Sequence, residues 1–315
     1  MEYKKKISEL QVGDIIEGYY LLKEAELRVT NSGKPFLNAL LSDVSGSVDA
    51  KVWDYSGPMS EADTGKPVKI RGEVKDYRGA LQLNIAKIRL ANESDDFLLS
   101  SLIPSAPIDE EETENYLSAL VESIADDDYR SIAKEMLLRH AADFYKIPAG
   151  KSVHHSFRSG LLMHTSNMLR VAEKICELYG DIIDRSLLLT GTLLHDFSKN
   201  KEFTLAETGL VTDYSRLGHL LGHLFMGAEE IGAVARELGV PEEKTVLLQH
   251  MILSHHGEPE FGAAVKPQII ESEILYQIDS IDSRIEIYRE SYEQLKPGEF
   301  SQRIFALDRK ILKHE

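Results

Sequence analysis

From Asp14 to Leu90 the hydrophobic positions recur with a period of two, and beyond Asp109 the rhythm changes to that of helices. In the first stretch, β-branched and aromatic residues come in short runs broken by turn chemistry. This pattern predicts strands near 15–25, 35–42, 47–53, 68–74 and 82–88. Asn31-Ser32-Gly33-Lys34 and Ser45-Gly46 read as turns, and 59–63 as a short helix between the third and fourth strands. Residues 91–107 read as a linker, with the polar run Asn92 to Asp96 and two prolines, Pro104 and Pro107. Asp109 and Glu112 then have the spacing of a capping box, and periodic Leu, Ile and Ala predict helices from there to the C-terminus.

Five strands with a helix after the third resemble an OB-fold, a small barrel that often binds single-stranded oligonucleotides. The expected organisation is therefore an all-β OB-fold barrel over 1–90, a linker over 91–107 and an all-α domain over 108–315. Phe36, Trp53, Tyr55 and Tyr77, with Lys34, Lys51, Lys75 and Arg78, are candidates for a face on which bases stack. Alternate strand residues face opposite sides, so some of these aromatics must instead fill the barrel. Phe36, Trp53 and Tyr77 are the candidate substrate contacts.

Charge sharpens this division. Residues 1–90 carry nearly equal numbers of basic and acidic side chains, so the net charge of −16 falls almost wholly on the remainder. That excludes a uniformly basic nucleic-acid-binding surface and requires any such groove to be local. An acidic domain can also hold divalent cations. Apolar residues at 43% and charged residues at 28% are ordinary for a globular chain and exclude disordered or fibrous classes. The charged start, Met1-Glu2-Tyr3-Lys4-Lys5-Lys6, lacks the apolar centre of a signal peptide, and no apolar run is long enough for a membrane helix. The expectation is a cytoplasmic protein with no membrane partner. Cys176, the single cysteine, sits at helical spacing among apolar residues and reads as core rather than as a thiol nucleophile.

The chemistry-bearing residues lie in the helical part. The apolar run Leu187 to Leu194 ends in His195-Asp196, and Lys199 follows three positions on, near Asp196 if the helix continues. All eleven histidines lie at or beyond His140. Apart from His140 and His314 they group as His154-His155, His164, His195, His219 with His223, and His250 with His255-His256. Asp279 follows on another apolar helix. Any one of these is more often structural than functional; their repetition in apolar helical context argues for a shared site. His219 and His223 are spaced i,i+4, a separation that places two imidazoles on one helix face.

The ordered set His164, His195-Asp196, His223, His255 and Asp279 resembles the HD superfamily of metal-dependent phosphohydrolases, over roughly residues 150–290. Gly160 to Thr165 is similar to that family's first-ligand helix, and His195 to Lys199 matches its His-Asp-x-x-Lys form. The resemblance implies two divalent ions, Mn²⁺ foremost and Mg²⁺, Co²⁺ or Fe²⁺ as alternatives. It implies that His164, His195 and Asp279 hold one ion, His223 and His255 the other, and Asp196 bridges them. His256 is an alternative ligand or substrate contact, because sequence does not choose between adjacent residues. Lys199 is a candidate for steadying phosphate charge or orienting water. His154, His155 and Arg158, just before the first ligand, are candidates for substrate phosphate contacts.

A barrel of this kind joined to an HD domain resembles the YhaM family of bacterial 3′-to-5′ exoribonucleases. Local matches are His154-His155-Ser156-Phe157, Leu220-Leu221-Gly222-His223 and Ile252-Leu253-Ser254-His255-His256-Gly257. The resemblance implies single-stranded RNA, or single-stranded DNA, as substrate and makes a homo-oligomer plausible. Two alternatives stand beside it. One is an HD phosphohydrolase of free nucleotides or cyclic dinucleotides with a regulatory barrel. The other is a non-catalytic RNA-binding adaptor.

Overall fold

The computed structural model describes residues 5–77, 79–92, 94–103, 105–150, 157–206, 208–293 and 295–314. The chain divides into two compact units, Met1–Ser105 together with Leu205–Thr212, and Ala106–Thr204 together with Asp213–Glu315.

In the first unit, strands β1 (Ile15–Val29), β2 (Pro35–Asp43), β3 (Gly46–Trp53), β4 (Pro67–Tyr77) and β5 (Ala80–Leu90) close into a barrel of order β1-β2-β3-β5-β4. All neighbours run antiparallel except β3 and β5, which are parallel over Asp49–Lys51. This is the expected all-β class. Alternation explains the core, since Leu37, Ala39 and Leu41 of β2 point inward with Val48, Ala50 and Val52 of β3. β1 runs past the predicted end at residue 25, because a bulge between Leu22 and Glu24 lets it keep pairing with β2 up to Val29. The helix expected at 59–63 is a single 3-10 turn, Glu61–Asp63. Leu21, Leu102, Ile103 and Leu210 form a small apolar cluster in the same unit. There Thr208 Oγ1 also donates to the Gly65 carbonyl at 2.9 Å.

The second unit is built from α1 (Glu110–Glu122), α2 (Asp127–Phe144), α3 (Gly160–Tyr179), α4 (Arg185–Leu194), α5 (Lys199–Glu202), α6 (Arg216–Leu238), α7 (Glu242–Ser254) and α8 (Ile270–Glu293). Asp109 caps α1 by accepting from the Glu112 N–H at 3.0 Å, as the capping-box spacing predicts. Every residue from Ser186 to Leu194 is buried, which explains the unbroken apolar run. Cys176 is part of the same core.

Two features depart from an all-helical reading. A two-stranded sheet, β6 (Phe203–Leu205) and β7 (Val211–Tyr214), interrupts the helices. Among the described residues no α-helix follows α8; the tail pairs with itself through isolated bridges, Phe300 with Leu312 and Ile304 with Arg309, and Leu307 and Ile311 pack against Ile287. Among the described residues, no helix is long and apolar enough to cross a membrane.

Candidate metal centre and nucleic-acid face

α4 stops at Leu194, the next residues turn, and α5 begins at Lys199. The helix expected to continue through Lys199 is thus broken, yet the turn still brings Lys199 Nζ to 2.7 Å from Asp196 Oδ2. A second bond from Nζ to the Ala149 carbonyl, also 2.7 Å, fixes the ammonium. Burial opposes ionisation of Asp196, but Lys199 and the surrounding imidazoles outweigh it and hold the carboxylate charged.

The two oxygens of Asp196 face different histidines. Oδ2 lies 3.2 Å from His195 Nε2 and 4.0 Å from His164 Nε2. Oδ1 lies 3.3 Å from His223 Nε2 and 3.7 Å from His255 Nε2. Ligand-capable atoms of His164, His195 and Asp196 fall within 4.8 Å of one another, as do those of His223, His255 and His256. Asp279 Oδ1 approaches the first group at 3.4 Å from His164 Nε2. The adjacent histidines 255 and 256 both enter the second group, their rings 4.4 Å apart.

Each of four rings is turned by a bond at its other nitrogen. His195 Nδ1 donates to the Thr192 carbonyl (2.8 Å) and His255 Nδ1 to the Ile252 carbonyl (2.7 Å). His223 Nδ1 donates to Glu202 (2.9 Å) and His164 Nδ1 to Asp282 (2.7 Å). Carbonyl and carboxylate oxygens only accept, so the proton sits on Nδ1 and Nε2 is aimed at Asp196. Burial works against a second proton on His164, but Asp279 and Asp282 outweigh it and raise its pKa to about 9 without metal. Burial and the neighbouring imidazoles hold His255 well below the usual range, and burial and His223 hold His256 at about 4.

A cation fits this arrangement on the structure's own terms. Among the described residues, Asp196 Oδ1, His223 Nε2, His255 Nε2 and His256 Nδ1 are buried with no hydrogen-bond partner. Such groups cost roughly 1–3 kcal/mol each unless something binds them.

Glu202 and Asp282, which spacing in the sequence does not single out, complete the centre. Asp282 lies one helical turn from Asp279 on α8 and also accepts from Asn167 Nδ2 at 3.2 Å. Glu202 accepts twice from His223, through the ring and through the backbone N–H (3.0 Å). The second bond depends on a kink in α6 at Gly222, whose φ of 70° and ψ of 161° belong to glycine alone. That kink corrects the expectation of one face for His219 and His223. His219 lies against Tyr214 with ring centroids 5.5 Å apart, outside the metal cluster. His140 bonds Glu230 and His250 accepts from the Gln268 N–H, both away from Asp196. Arg158 lies 3.7 Å from Glu110. His154 and His155 lie outside the described residues, as does Arg78.

A cavity of about 480 Å³ opens on this centre, with Lys199, His223 and His256 in its wall and Tyr214, Leu221 and Phe261 at hand for apolar contact.

On the barrel, Phe36 and Trp53 pair across β2 and β3 with ring centroids 5.1 Å apart, and Lys51 Nζ sits over the Phe36 ring at 5.2 Å. Phe36 is half-buried, whereas Trp53 is 48% exposed. Tyr77 is 51% exposed at the end of β4. Tyr55 turns to the barrel core, and its hydroxyl accepts from the Met59 N–H at 2.8 Å.

Comparison with known proteins agrees with both units. Residues 161–284 match the HD domain family, and residues 23–91 match the OB-fold nucleic acid binding domain family. Among solved structures, the chain is similar to the second OB-fold domain of replication protein A from Methanococcus maripaludis, at 20% identity over 29% of this chain and 98% of that one, TM-score 0.23. It is also similar to the protein PriB from Ralstonia solanacearum, at 20% identity over 26% of this chain and 100% of that one, TM-score 0.21.

Proposed function

Starting from a chain that carries an HD domain, the mark of a metal-dependent phosphohydrolase, beside an OB-fold nucleic-acid-binding barrel, we propose a 3′-to-5′ exonuclease of single-stranded RNA. The observation that carries this reading is Asp196, with one oxygen toward His164 and His195 and the other toward His223 and His255. His164, His195, Asp196 and Asp279 would hold one divalent ion, and Asp196, His223, His255 and His256 a second. The imidazole and carboxylate donors suit Mn²⁺, Fe²⁺ or Co²⁺, and we propose Mn²⁺. When bound, such ions supply Lewis acidity that activates water and offsets charge on a phosphodiester.

The chain's own residues do the rest. Glu202, Asp282 and the Thr192 and Ile252 carbonyls orient the imidazoles before any ligand arrives. Lys199 keeps a positive charge at the cavity wall, where a phosphate oxygen can be steadied. Tyr214, Leu221 and Phe261 provide surfaces against which a terminal base can lie. In this reading the barrel holds the strand and the helical unit removes its 3′ nucleotides.

The test is a substrate panel. The full chain with Mn²⁺ is given 5′-labelled single-stranded RNA, the matching DNA, free nucleotides and cyclic dinucleotides. Stepwise shortening of RNA from the 3′ end, abolished in Asp196→Ala, is the expected result. Hydrolysis of small nucleotides alone would overturn it, as would strand binding without hydrolysis under any divalent metal.

A further inference from the structure

The barrel carries a second feature that the aromatic pair does not explain. Lys69 lies directly across from Arg89, and Arg71 directly across from Lys87, on β4 and β5. Like charges placed opposite one another in an antiparallel pair destabilise it, so a cross-strand pair that no carboxylate neutralises calls for an external anion. Their alignment is produced by a bulge. Between Arg71 and Gly72 the partner on β5 jumps from Lys87 to Ile85, leaving Ala86 as an extra residue. Leu83 and Ile85 face the core before the bulge; after it the phase reverses, so Ile88 packs against the core while Lys87 and Arg89 are exposed.

Most other cations of the barrel are already engaged. Lys34 pairs with Asp54, Lys75 with Glu73, and Lys51 donates to Asn38. Within the four, Arg89 pairs with Asp95, and Lys69 stands 3.6 Å from Glu17. Glu17 is also across from Arg71 in the β1-β4 register, but its ion pair is with Lys69. Among the described residues, no carboxylate pairs with Arg71 or Lys87. Both border a groove of about 700 Å³ whose opposite wall is Trp53 to Gly57, and Trp53 stands exposed at its edge.

We propose that this groove binds the sugar–phosphate backbone of a single nucleic-acid strand, with Arg71 and Lys87 on consecutive phosphates and Trp53 stacked on a base. The cross-strand cations supply the charge, and the lone indole supplies a sequence-tolerant platform. The inference rests on the reading above only in taking the ligand to be a single strand; it does not require cleavage.

The chain contains one tryptophan, so quenching of its emission reports on this groove alone. The experiment uses the full chain in chelator, with labelled oligouridylate followed by anisotropy and by Trp53 emission across a salt series. Losing two phosphate contacts in R71Q/K87Q lowers the slope of log affinity against log salt by about 1.4. We expect affinity to fall about tenfold at moderate salt, while the melting temperature holds or rises as like-charge repulsion is relieved. Trp53→Leu should weaken binding about tenfold with the slope unchanged. Unaltered affinity and slope in R71Q/K87Q would overturn the proposal. So would polyphosphate, which has no bases, binding as tightly as RNA of equal charge without quenching, or duplex RNA binding as well as single strands. A chain that binds by these determinants yet never cuts RNA would defeat the exonuclease reading and leave the groove standing. Cleavage with R71Q/K87Q binding unimpaired would do the reverse.

Discussion

Glu202 accepts two hydrogen bonds from His223, one from the ring at 2.9 Å and one from the backbone N–H at 3.0 Å, so a single carboxylate fixes both the ring and the chain that carries it. The residue itself is buried, and its ionised form is favoured, against burial, by those bonds.

Glu202→Gln keeps the shape but weakens the grip on Nδ1. Loss of such a supporting bond lowers metal affinity about 10- to 100-fold. The effect should fall on the site of His223, His255 and His256, leaving the site of His164 and His195 loaded. Metal content per chain, measured by elemental analysis at increasing Mn²⁺, separates one occupied site from two.

Gly222→Ala tests the kink. A Cβ there has room, with only Glu202 Oε1 within 4 Å at 3.9 Å, so any penalty is conformational. A non-glycine residue in this backbone region costs about 1–3 kcal/mol. The melting temperature should drop and metal binding at His223 should weaken together; a variant unchanged in both would show that the kink is not needed.

Asp196→Asn removes charge while preserving volume. Because its two oxygens face both histidine groups, occupancy of both sites should fall, and hydrolysis should drop by at least about 10³-fold if Asp196 acts as one unit with the metals. Retention of either ion at wild-type affinity would contradict the shared role.

The acid stability of the helical unit should depend on Glu230, held by His140 Nε2 at 2.8 Å and Lys201 Nζ at 2.7 Å. Burial would raise its pKa, but these partners outweigh it and lower the value to about 2 from an ordinary 4.5. A depressed carboxylate stabilises the fold above its unfolded pKa, and that contribution is lost as pH falls from about 4.5 toward 2. At neutral pH it is on the order of 2–3 kcal/mol. Glu230→Gln should therefore melt earlier at pH 7, and the gap from the parent should narrow below about pH 4.5 and close near pH 2. A gap that stayed constant with pH would point to packing instead.

The strands of the barrel were legible because one face is buried and the other wet, which writes a period of two into the sequence. The aspartate and the histidines around it were legible for a different reason. Polar residues in otherwise apolar helices are costly, so His164, His195 and His255 stand out. What the sequence pattern does not carry is what tertiary contact decides. Glu202 and Asp282 look like ordinary surface carboxylates until the fold sets them against imidazoles. The kink at Gly222 has no signal beyond one glycine in an apolar helix, and the short β6 and β7 strands are too brief to establish a period. Arg71 and Lys87 are unremarkable in sequence, since only the register places them opposite each other.

That register makes β5 sensitive to where its length changes rather than to identity. Removing Ala86 would erase the bulge and leave Leu83, Ile85 and Ile88 at regular inward alternation, whereas removing Asn84 would set Leu83 and Ile85 on opposite faces and turn one of them to water. Loss of Ala86 and point changes at exposed positions of this strand should therefore be absorbed with little loss, whereas deletion of Asn84 should cost the barrel its fold. The bulge is thus the one place within β5 where the chain can shorten by a residue and keep its inward face.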